Sequence, residues 1–247
     1  MSKMYHPLTP VSRKVGEGHF DDAIRPPAGV QPGPVYVYDA AIRIWHWVTM
    51  LAIIVLCVTG YFIASPLPSV GGEAHESYLF GWIRFTHFAA GMILGVAFVL
   101  RLYRVLFGGK HARQIFWIPF WSLAWWKEIF DEVRWYLFIG KPKEYVGHNP
   151  LAHIAMFFMF LLPTLVLLFT GFALYAEQAG VQTAWFTWFG WVFTLLGDSM
   201  TVRTWHHVAM WVVIIFSIVH MYMAIREDMT HRQTTVSSMI SGWRFYR

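Results

Sequence analysis

The stretch from Thr204 to Ile225, TWHHVAMWVVIIFSIVHMYMAI, is a continuous apolar run with histidines toward both ends. His206 and His220 are 14 residues apart, so at about 100° and 1.5 Å per residue they share nearly one helix face and lie about 21 Å apart. About 20 apolar residues cross the roughly 30 Å hydrocarbon core of a bilayer. The stretch therefore predicts a transmembrane helix with one histidine near each membrane face.

The rest of the chain has the composition of a membrane protein. Of its 247 residues, 57% are apolar and 13% are charged, against about 45–50% and about 25% in soluble domains. Four stretches are long enough to cross a bilayer, at about 41–64, 85–107, 151–175 and 205–225. We expect an all-α membrane protein whose four-helix bundle occupies residues 41–226, with an irregular tail at 1–40 and a second tail at 227–247.

Two further histidines lie near the starts of other predicted helices, His46 in the first span and His87 in the second. Consecutive spans run in opposite directions, so His46 is level with His220, and His87 is level with His206. Ionisable side chains are costly inside a membrane and mark functional positions. Two stacked bis-histidine sites between helices predict two iron porphyrins.

The cysteine content limits the type of haem that the chain could bind. Cys57 is the only cysteine, so the chain has no CxxCH sequence for covalent haem attachment and no ligand set for an iron–sulfur cluster. Any haem is therefore held by coordination and packing, which means haem b.

Each histidine also has an ordinary explanation, because a buried imidazole can bond a carbonyl one helical turn away. The joint pattern of four level-matched histidines favours ligation. His207 competes with His206 for the outer site. Its spacing of 13 residues to His220 turns it about 140° away on the helix, against about 40° for His206, so we predict His206 as the ligand.

The distribution of Lys and Arg predicts the orientation. Of these 19 residues, 17 lie in three parts of the chain: before or at the start of the first span, from Arg101 near the end of the second span to Lys143, and after the fourth span. By the positive-inside rule, both termini and the middle loop are cytoplasmic. The site of His87 and His206 then faces outward. The net charge of +5 reflects the basic residues of the segments assigned to the cytoplasm. We therefore predict no nucleic-acid partner from it.

Two more residues fall on the histidine-bearing helix faces. Gly60 lies 14 residues after His46, and Arg101 lies 14 residues after His87. A missing side chain at Gly60 would let a porphyrin approach closely, and Arg101 could pair with a haem propionate. The alternatives are ordinary helix packing for the glycine and snorkelling to lipid head groups for the arginine.

Two aromatic-rich segments are expected to lie along the membrane surface. Residues 115–138 mix aromatic and charged side chains, and Pro119 interrupts their start, which predicts an amphipathic helix at the cytoplasmic interface. Residues 181–196 are rich in Trp and too short to span the bilayer, which predicts an outer interfacial segment. Either segment could contact lipid or a partner helix, and a re-entrant segment is the alternative to an interfacial one.

Several motifs resemble the cytochrome b subunit of respiratory membrane-bound nickel–iron hydrogenases, and more distantly the gamma subunit of respiratory formate dehydrogenases. They are VYVYDAAIRIWHW (35–47), RFTHFAAG (84–91), GHNPLAH (147–153), TGFALY (170–175) and, after the histidine pair, HMYMAIRED (220–228). The resemblance implies a multi-pass subunit of the bacterial inner membrane with two b haems. It also implies that the subunit anchors the small and large hydrogenase subunits at the outer face, in a complex that can form a higher oligomer.

Carried over to this sequence, the resemblance implies that His87 and His206 bind the outer haem iron and that His46 and His220 bind the inner one. Electrons would pass from the partner's iron–sulfur clusters through both haems to quinone, and this chain has no hydrogen-activating site of its own. The quinone would lie near the inner haem, in the vicinity of His148, Tyr222 and Met223. Tyr222 is about 200° around the helix from His220, so a position in the lipid-facing aromatic belt is the alternative.

Two other functions stay open on the sequence. A cytochrome b anchor of a formate dehydrogenase or another respiratory reductase would use the same haem ligands. A proton-linked or metal-ion transporter would also place ionisable residues in its spans. Transporters more often carry acidic residues there, and none of these four spans has a central Asp or Glu.

Overall fold

The structure is a computed structural model that describes residues 35–68, 77–107, 116, 118–139, 149–231 and 234–244. Four of its helices are long and apolar enough to cross a membrane, which confirms the predicted all-α membrane fold class: Ala40–Ala64, Leu79–Phe107, Pro150–Ala179 and Ser199–Met229. In chain order the elements are β1 (Val35–Tyr36), α1 (Ala40–Ala64), α2 (Leu79–Phe107), α3 (Leu123–Tyr136), α4 (Pro150–Ala155), a π-helical segment (Met156–Leu161), α5 (Leu162–Ala179), α6 (Ala184–Phe189), α7 (Trp191–Leu196), α8 (Ser199–His231), α9 (Thr235–Ser241) and β2 (Trp243–Arg244).

Some helices extend beyond the apolar runs that predicted them, because hydrogen bonding and not hydropathy decides where a helix begins. The helix α8 starts at Ser199, whereas the apolar run predicted a start near 205. Just before it, the Asp198 carboxylate accepts the Thr201 N–H at 2.7 Å, and the Asp198 carbonyl accepts the Val202 N–H at 3.0 Å. The carboxylate thus satisfies an N–H that has no partner within the helix.

The third span changes its helical pitch part-way along. Asn149 caps the start, since its side-chain oxygen accepts the Ala152 N–H at 2.6 Å, and Pro150 occupies the first helical turn. The π-helical segment Met156–Leu161 follows. Pro163 has no N–H to donate to the carbonyl one turn earlier, and its ring crowds that carbonyl. The wider π turn before it accommodates this interruption.

The described residues group into two compact units, of which the first comprises residues up to Ile44, Arg104–Phe158 and the chain from Phe216 onward. One part of its core consists of Ile118, Trp125 and Ile129, packed by Leu151, Ile154 and Phe157. The helix α3 starts later than the predicted 115–138 segment, because Ser122 caps it by accepting the Trp125 N–H at 3.3 Å. Its opposite face exposes Leu123 and Phe130, and the placement of this helix at the cytoplasmic interface stays a prediction.

The first unit also joins the two ends of the described chain. Strands β1 and β2 pair antiparallel, with Tyr36 opposite Trp243. Asp39 accepts the Ile42 N–H at 2.8 Å at the start of α1 and forms an ion pair with Arg104. Gly242 has a φ of 87°, and a Cβ there would lie 2.6 Å from the Tyr38 carbonyl oxygen. Only glycine fits this turn without strain.

The second unit comprises Trp45–Tyr103 and Met159–Ile215. A buried cluster in it joins α5, α7 and α8 through Ala173, Val192 and Val202. The predicted 181–196 segment forms the two short helices α6 and α7. A Cβ on Gly190 between them would lie 2.6 Å from the Phe186 carbonyl oxygen, so glycine permits the close approach at this junction.

Candidate haem-binding histidines

The second unit brings His87 of α2 and His206 of α8 together. Their ring centroids are 6.4 Å apart, and the ring planes are inclined by 63°. Metal–imidazole bonds are about 2.0–2.1 Å long in zinc sites, so this separation leaves room for one metal ion between the two rings. The structure thus juxtaposes the two histidines that the helical spacing placed at one depth.

A threonine hydroxyl of a neighbouring helix holds His87. Thr59 of α1 is buried, and its Oγ1 lies 2.9 Å from Nδ1 of His87. The same hydroxyl lies 2.6 Å from the Val55 carbonyl oxygen one turn earlier in α1. Two oxygens at that distance need a proton between them, and a hydroxyl has only one. Thr59 therefore donates to Val55 and accepts the Nδ1–H of His87, which leaves the Nε2 lone pair of His87 for a metal.

His206 is held in the same way by a second threonine. Thr170 of α5 is buried, and its Oγ1 lies 2.8 Å from Nδ1 of His206. Its hydroxyl also donates to the Val166 carbonyl one turn earlier. Because the only hydroxyl proton of Thr170 is donated to Val166, Thr170 accepts the proton of Nδ1. His206 therefore carries its proton on Nδ1 and its lone pair on Nε2.

A glycine follows each threonine and lies beside the same imidazole. A Cβ on Gly60 would lie 3.2 Å from Cε1 of His87, and a Cβ on Gly171 would lie 3.1 Å from Cε1 of His206. Both distances are shorter than ordinary van der Waals contact. We call the two dipeptides, Thr59–Gly60 and Thr170–Gly171, the Thr–Gly pairs; each one supports one histidine ring.

The spacing of 14 residues from His46 predicts Gly60 at the depth of the outer site, but no sequence spacing singled out Thr59, Thr170 or Gly171 as contacts of the histidines. A repeated pattern could have revealed them. The first span contains Thr59–Gly60–Tyr61, and the third contains Thr170–Gly171–Phe172. The same Thr–Gly–aromatic tripeptide in two helices is a signal of two equivalent positions.

The structure separates His206 from its neighbour His207. Nδ1 of His207 lies 2.8 Å from the Arg203 carbonyl oxygen, one turn earlier in α8. His207 is thus a histidine with the ordinary local partner, whereas His206 reaches across to another helix. This arrangement agrees with the helical-phase argument that favours His206.

The two histidines predicted for the inner site fall in different units, His46 in the second and His220 in the first. The His46 ring meets Trp47 edge-on at 5.4 Å, and Phe216 stacks on the His220 ring at 5.4 Å. The pairing of His46 with His220 stays a prediction.

Thr49 lies one turn after His46 in α1. It is buried, and its hydroxyl has no hydrogen-bond partner within the described part of the chain. Buried hydroxyls are normally satisfied. The hydroxyl of Thr49 is therefore a polar group that a molecule bound beside His46 could satisfy.

Arg101 is buried, with 4% of its surface exposed. Its guanidinium lies 5.1 Å from the ring centroid of Trp45, and the Trp45 indole N–H donates to the Ala97 carbonyl oxygen at 2.9 Å. A cation packed on an indole in this way is held by a cation–π interaction. The pairing of Arg101 with a haem propionate stays a prediction.

The structure shows little about the residues that were predicted to lie near a quinone. His148 lies outside the described residues. Tyr222 has 59% of its surface exposed, which agrees with the alternative that it faces lipid, and Met223 is half-buried. The quinone vicinity stays a prediction.

Comparison with known proteins decides the family of this chain. The family model described as prokaryotic cytochrome b561 matches residues 37–242. The chain belongs to this family. Membership in a b-type cytochrome family implies haem b, and two facing histidines that carry their lone pairs on Nε2 are a donor set that fits haem iron.

Three relatives illustrate the similarity. The chain is 52% identical over 214 residues to a protein of Azotobacter vinelandii, covering 86% of this chain and 89% of the relative. It is 53% identical to a protein of Rhizobium leguminosarum bv. viciae, covering 86% and 90%. Both are named probable Ni/Fe-hydrogenase B-type cytochrome subunit. A protein of Escherichia coli K12, the probable Ni/Fe-hydrogenase 1 B-type cytochrome subunit, is 44% identical, covering 86% and 91%.

Proposed function

We propose that this chain is a diheme b-type cytochrome that anchors a periplasmic nickel–iron hydrogenase to the bacterial inner membrane and passes its electrons to quinone. The family and the names of the relatives support a b-type cytochrome subunit associated with hydrogenase. The observation that carries the proposal is the juxtaposition of His87 and His206, each with its Nε2 lone pair left for a metal.

At the outer site, His87 and His206 would ligate the iron through Nε2, while Thr59 and Thr170 hold their rings by Nδ1. A haem bound there would supply one-electron iron chemistry. Two histidine ligands held in this way would suit electron transfer, because His87 and His206 would both bind the iron and leave no position for a substrate.

At the inner site, His46 and His220 would be the ligands of a second haem b. One observation in the second unit supports a bound group near His46: the buried hydroxyl of Thr49 has no hydrogen-bond partner among the described residues. A guanidinium in a region of low dielectric constant is stabilised by a carboxylate. Arg101 would therefore hold a haem propionate.

The orientation comes from the charge distribution. With 17 of 19 Lys and Arg residues in segments assigned to the cytoplasm, the site of His87 and His206 faces outward. The small and large hydrogenase subunits would meet the chain at that face. Quinone would be reduced near the inner haem, in the vicinity of His148, Tyr222 and Met223. Electrons that enter outside and protons taken up from the cytoplasm would together separate charge across the membrane.

Hydrogen chemistry is assigned to the partner subunits. The single cysteine of this chain cannot supply the thiolate ligands of a nickel–iron centre or of an iron–sulfur cluster. This chain would conduct electrons and anchor the complex.

The test uses the complete hydrogenase complex with wild-type, His87→Ala and His46→Ala cytochrome. A pyridine haemochrome assay of the wild-type complex should approach two haems b per chain, and each variant should lose one. Hydrogen should reduce the remaining outer haem of the His46→Ala complex. It should not rapidly reduce the inner haem of the His87→Ala complex, because that haem would be cut off from the electron donor.

Oxidation of hydrogen with an artificial dye is the assembly control and should stay unchanged in both variants. A wild-type complex that is active with quinone but contains no haem b would overturn the proposal. Rapid reduction of the remaining haem in His87→Ala, with none in His46→Ala, would reverse the assigned direction of electron flow.

A further inference from the structure

We propose that Thr59 and Thr170 are matched positioning residues that lower the reduction potential of the outer haem by accepting the Nδ1–H of both of its axial histidines. The inference rests on the proposed function, because it takes His87 and His206 as the ligands of that haem. It adds a role for two threonines on the helices that face the ligands.

The first step is the selection of one tautomer. A neutral imidazole can carry its proton on either nitrogen, and only the form protonated on Nδ1 offers Nε2 to a metal. Thr59 cannot donate to His87, because its only hydroxyl proton lies toward Val55 at 2.6 Å. Thr170 is committed to Val166 in the same way. Both hydroxyls therefore act as acceptors toward the histidines.

The second step is the rigidity of these acceptors. The bond to a carbonyl one turn earlier fixes the rotation of each hydroxyl, so its lone pair has a set direction. Thr59 has 9% of its surface exposed and Thr170 has 2%. The two hydroxyls are shielded from solvent, and a hydrogen bond in such surroundings is electrostatically stronger than in water.

The third step is the effect on the iron. A hydrogen bond from the second ring nitrogen to an acceptor raises the basicity of the ligating nitrogen. A more basic ligand stabilises ferric iron relative to ferrous iron. Because both axial ligands carry the same bond at 2.9 and 2.8 Å, the two effects act in the same direction on one haem and lower its potential.

The glycine of each Thr–Gly pair leaves space beside the Cε1 and Nδ1 atoms of the same ring. With Gly60 and Gly171 against the Cε1 atoms of the two histidines, each imidazole can approach the helix that holds it. Each ligand is thus oriented by a helix other than its own. His207, which bonds the Arg203 carbonyl of its own helix, lacks this support.

The experiment compares Thr59→Val and Thr170→Val with Thr59→Ser and Thr170→Ser in the complete complex. Valine keeps the shape of threonine and removes the hydroxyl, whereas serine keeps the hydroxyl. Redox titration followed in the visible spectrum should show a raised potential of the outer haem in each valine variant and a larger rise in the double variant. The potential of the inner haem should not change, and the serine variants should return the outer haem to the wild-type value.

Two further readouts separate positioning from general damage. The low-spin ferric signal of the outer haem in electron paramagnetic resonance should shift in the valine variants. Haem affinity should fall about 10- to 100-fold, as is typical when an outer-shell partner of a metal ligand is lost. Thr164→Val is the matched control, because Thr164 is a buried threonine of α5 whose hydroxyl has no partner among the described residues. It should leave the outer haem unchanged.

The outcomes distinguish this inference from the proposed function. If His87→Ala retains the outer haem, the proposed function fails at this site. If His87→Ala loses that haem while the double valine variant keeps it with wild-type potential and resonance, only the role of the threonines is overturned. If the valine variants lose the haem, the serine variants decide: a native potential supports the inference, and an equal loss overturns it.

Discussion

Gly171 of α5 lies next to the imidazole of His206 of α8. A Cβ at position 171 would lie 3.1 Å from the Cε1 atom of that ring. This distance is shorter than ordinary van der Waals contact, so a methyl group at position 171 would have to displace the ring. The position of this candidate ligand therefore depends on the absence of a side chain in a neighbouring helix.

Gly171→Ala should displace the His206 ring and weaken binding of the outer haem. Inserting a methyl group into a filled space costs about 1–3 kcal/mol, and misplacement of a ligand weakens its bond to iron. The measurement is the haem-to-protein ratio of the purified complex together with the potential of the outer haem. Gly91→Ala is the control, since its Cβ would lie 3.9 Å from Leu56 Cδ2 in ordinary contact, and it should keep both values.

His206→Ala and His207→Ala should differ sharply although the two residues are adjacent. His206 faces His87 across 6.4 Å, whereas His207 bonds the Arg203 carbonyl of its own helix. We expect His206→Ala to lose the outer haem and His207→Ala to retain two haems per chain, as measured by pyridine haemochrome. Loss of one haem in His207→Ala with full retention in His206→Ala would reverse the assignment.

Arg226→Gln should loosen the attachment of α8 to the end of α3. The Arg226 guanidinium lies 4.8 Å from the ring centroid of Trp135 and 4.6 Å from that of Phe138. Cation–π contacts contribute about 0.5–1 kcal/mol when exposed and about 2 or more when desolvated. The expected result is a lower thermal unfolding midpoint of the detergent-solubilised complex, with the haem content unchanged at low temperature. Arg203→Gln, at an exposed ion pair with Glu177, should have a much smaller effect.

Tyr136→Phe should reduce the loss of stability at alkaline pH. Burial raises the pKa of Tyr136 to about 12 from its ordinary value of 10, because the interior disfavours the phenolate. The unfolded tyrosine ionises from about pH 10 while the folded one stays neutral, so stability is lost as the pH rises from 10 toward 12.

The measurement for Tyr136 is the thermal midpoint of wild type and variant between pH 8 and pH 12, taken as a difference at each pH. Tyr136→Phe also removes an acceptor of the Asn149 amide, 3.3 Å away, so it should be less stable than wild type near neutral pH. The deficit should shrink above pH 10. A deficit that is constant or grows with pH would contradict the shifted pKa.

The sequence alone determined the fold class, because the length and apolarity of a span are local properties that hydropathy records directly. It also determined the face of α8 on which His206 and His220 lie, since helical phase follows from spacing within one chain segment. The motifs around the histidines pointed to the family that the comparisons confirmed. Helix ends were less predictable. The helix α8 begins at Ser199, before the start of the apolar run, because Asp198 caps it there.

Only the tertiary structure decided which side chains of other helices meet the histidines. A membrane helix is apolar on all sides, so its hydrophobic pattern does not reveal which face turns toward a neighbour. The hydrogen bonds of Thr59 and Thr170 to His87 and His206 depend on the rotation and depth of α1 and α5 beside α2 and α8. Those quantities arise from packing between segments far apart in the chain, which is why the Thr–Gly pairs emerge only when the helices are brought together.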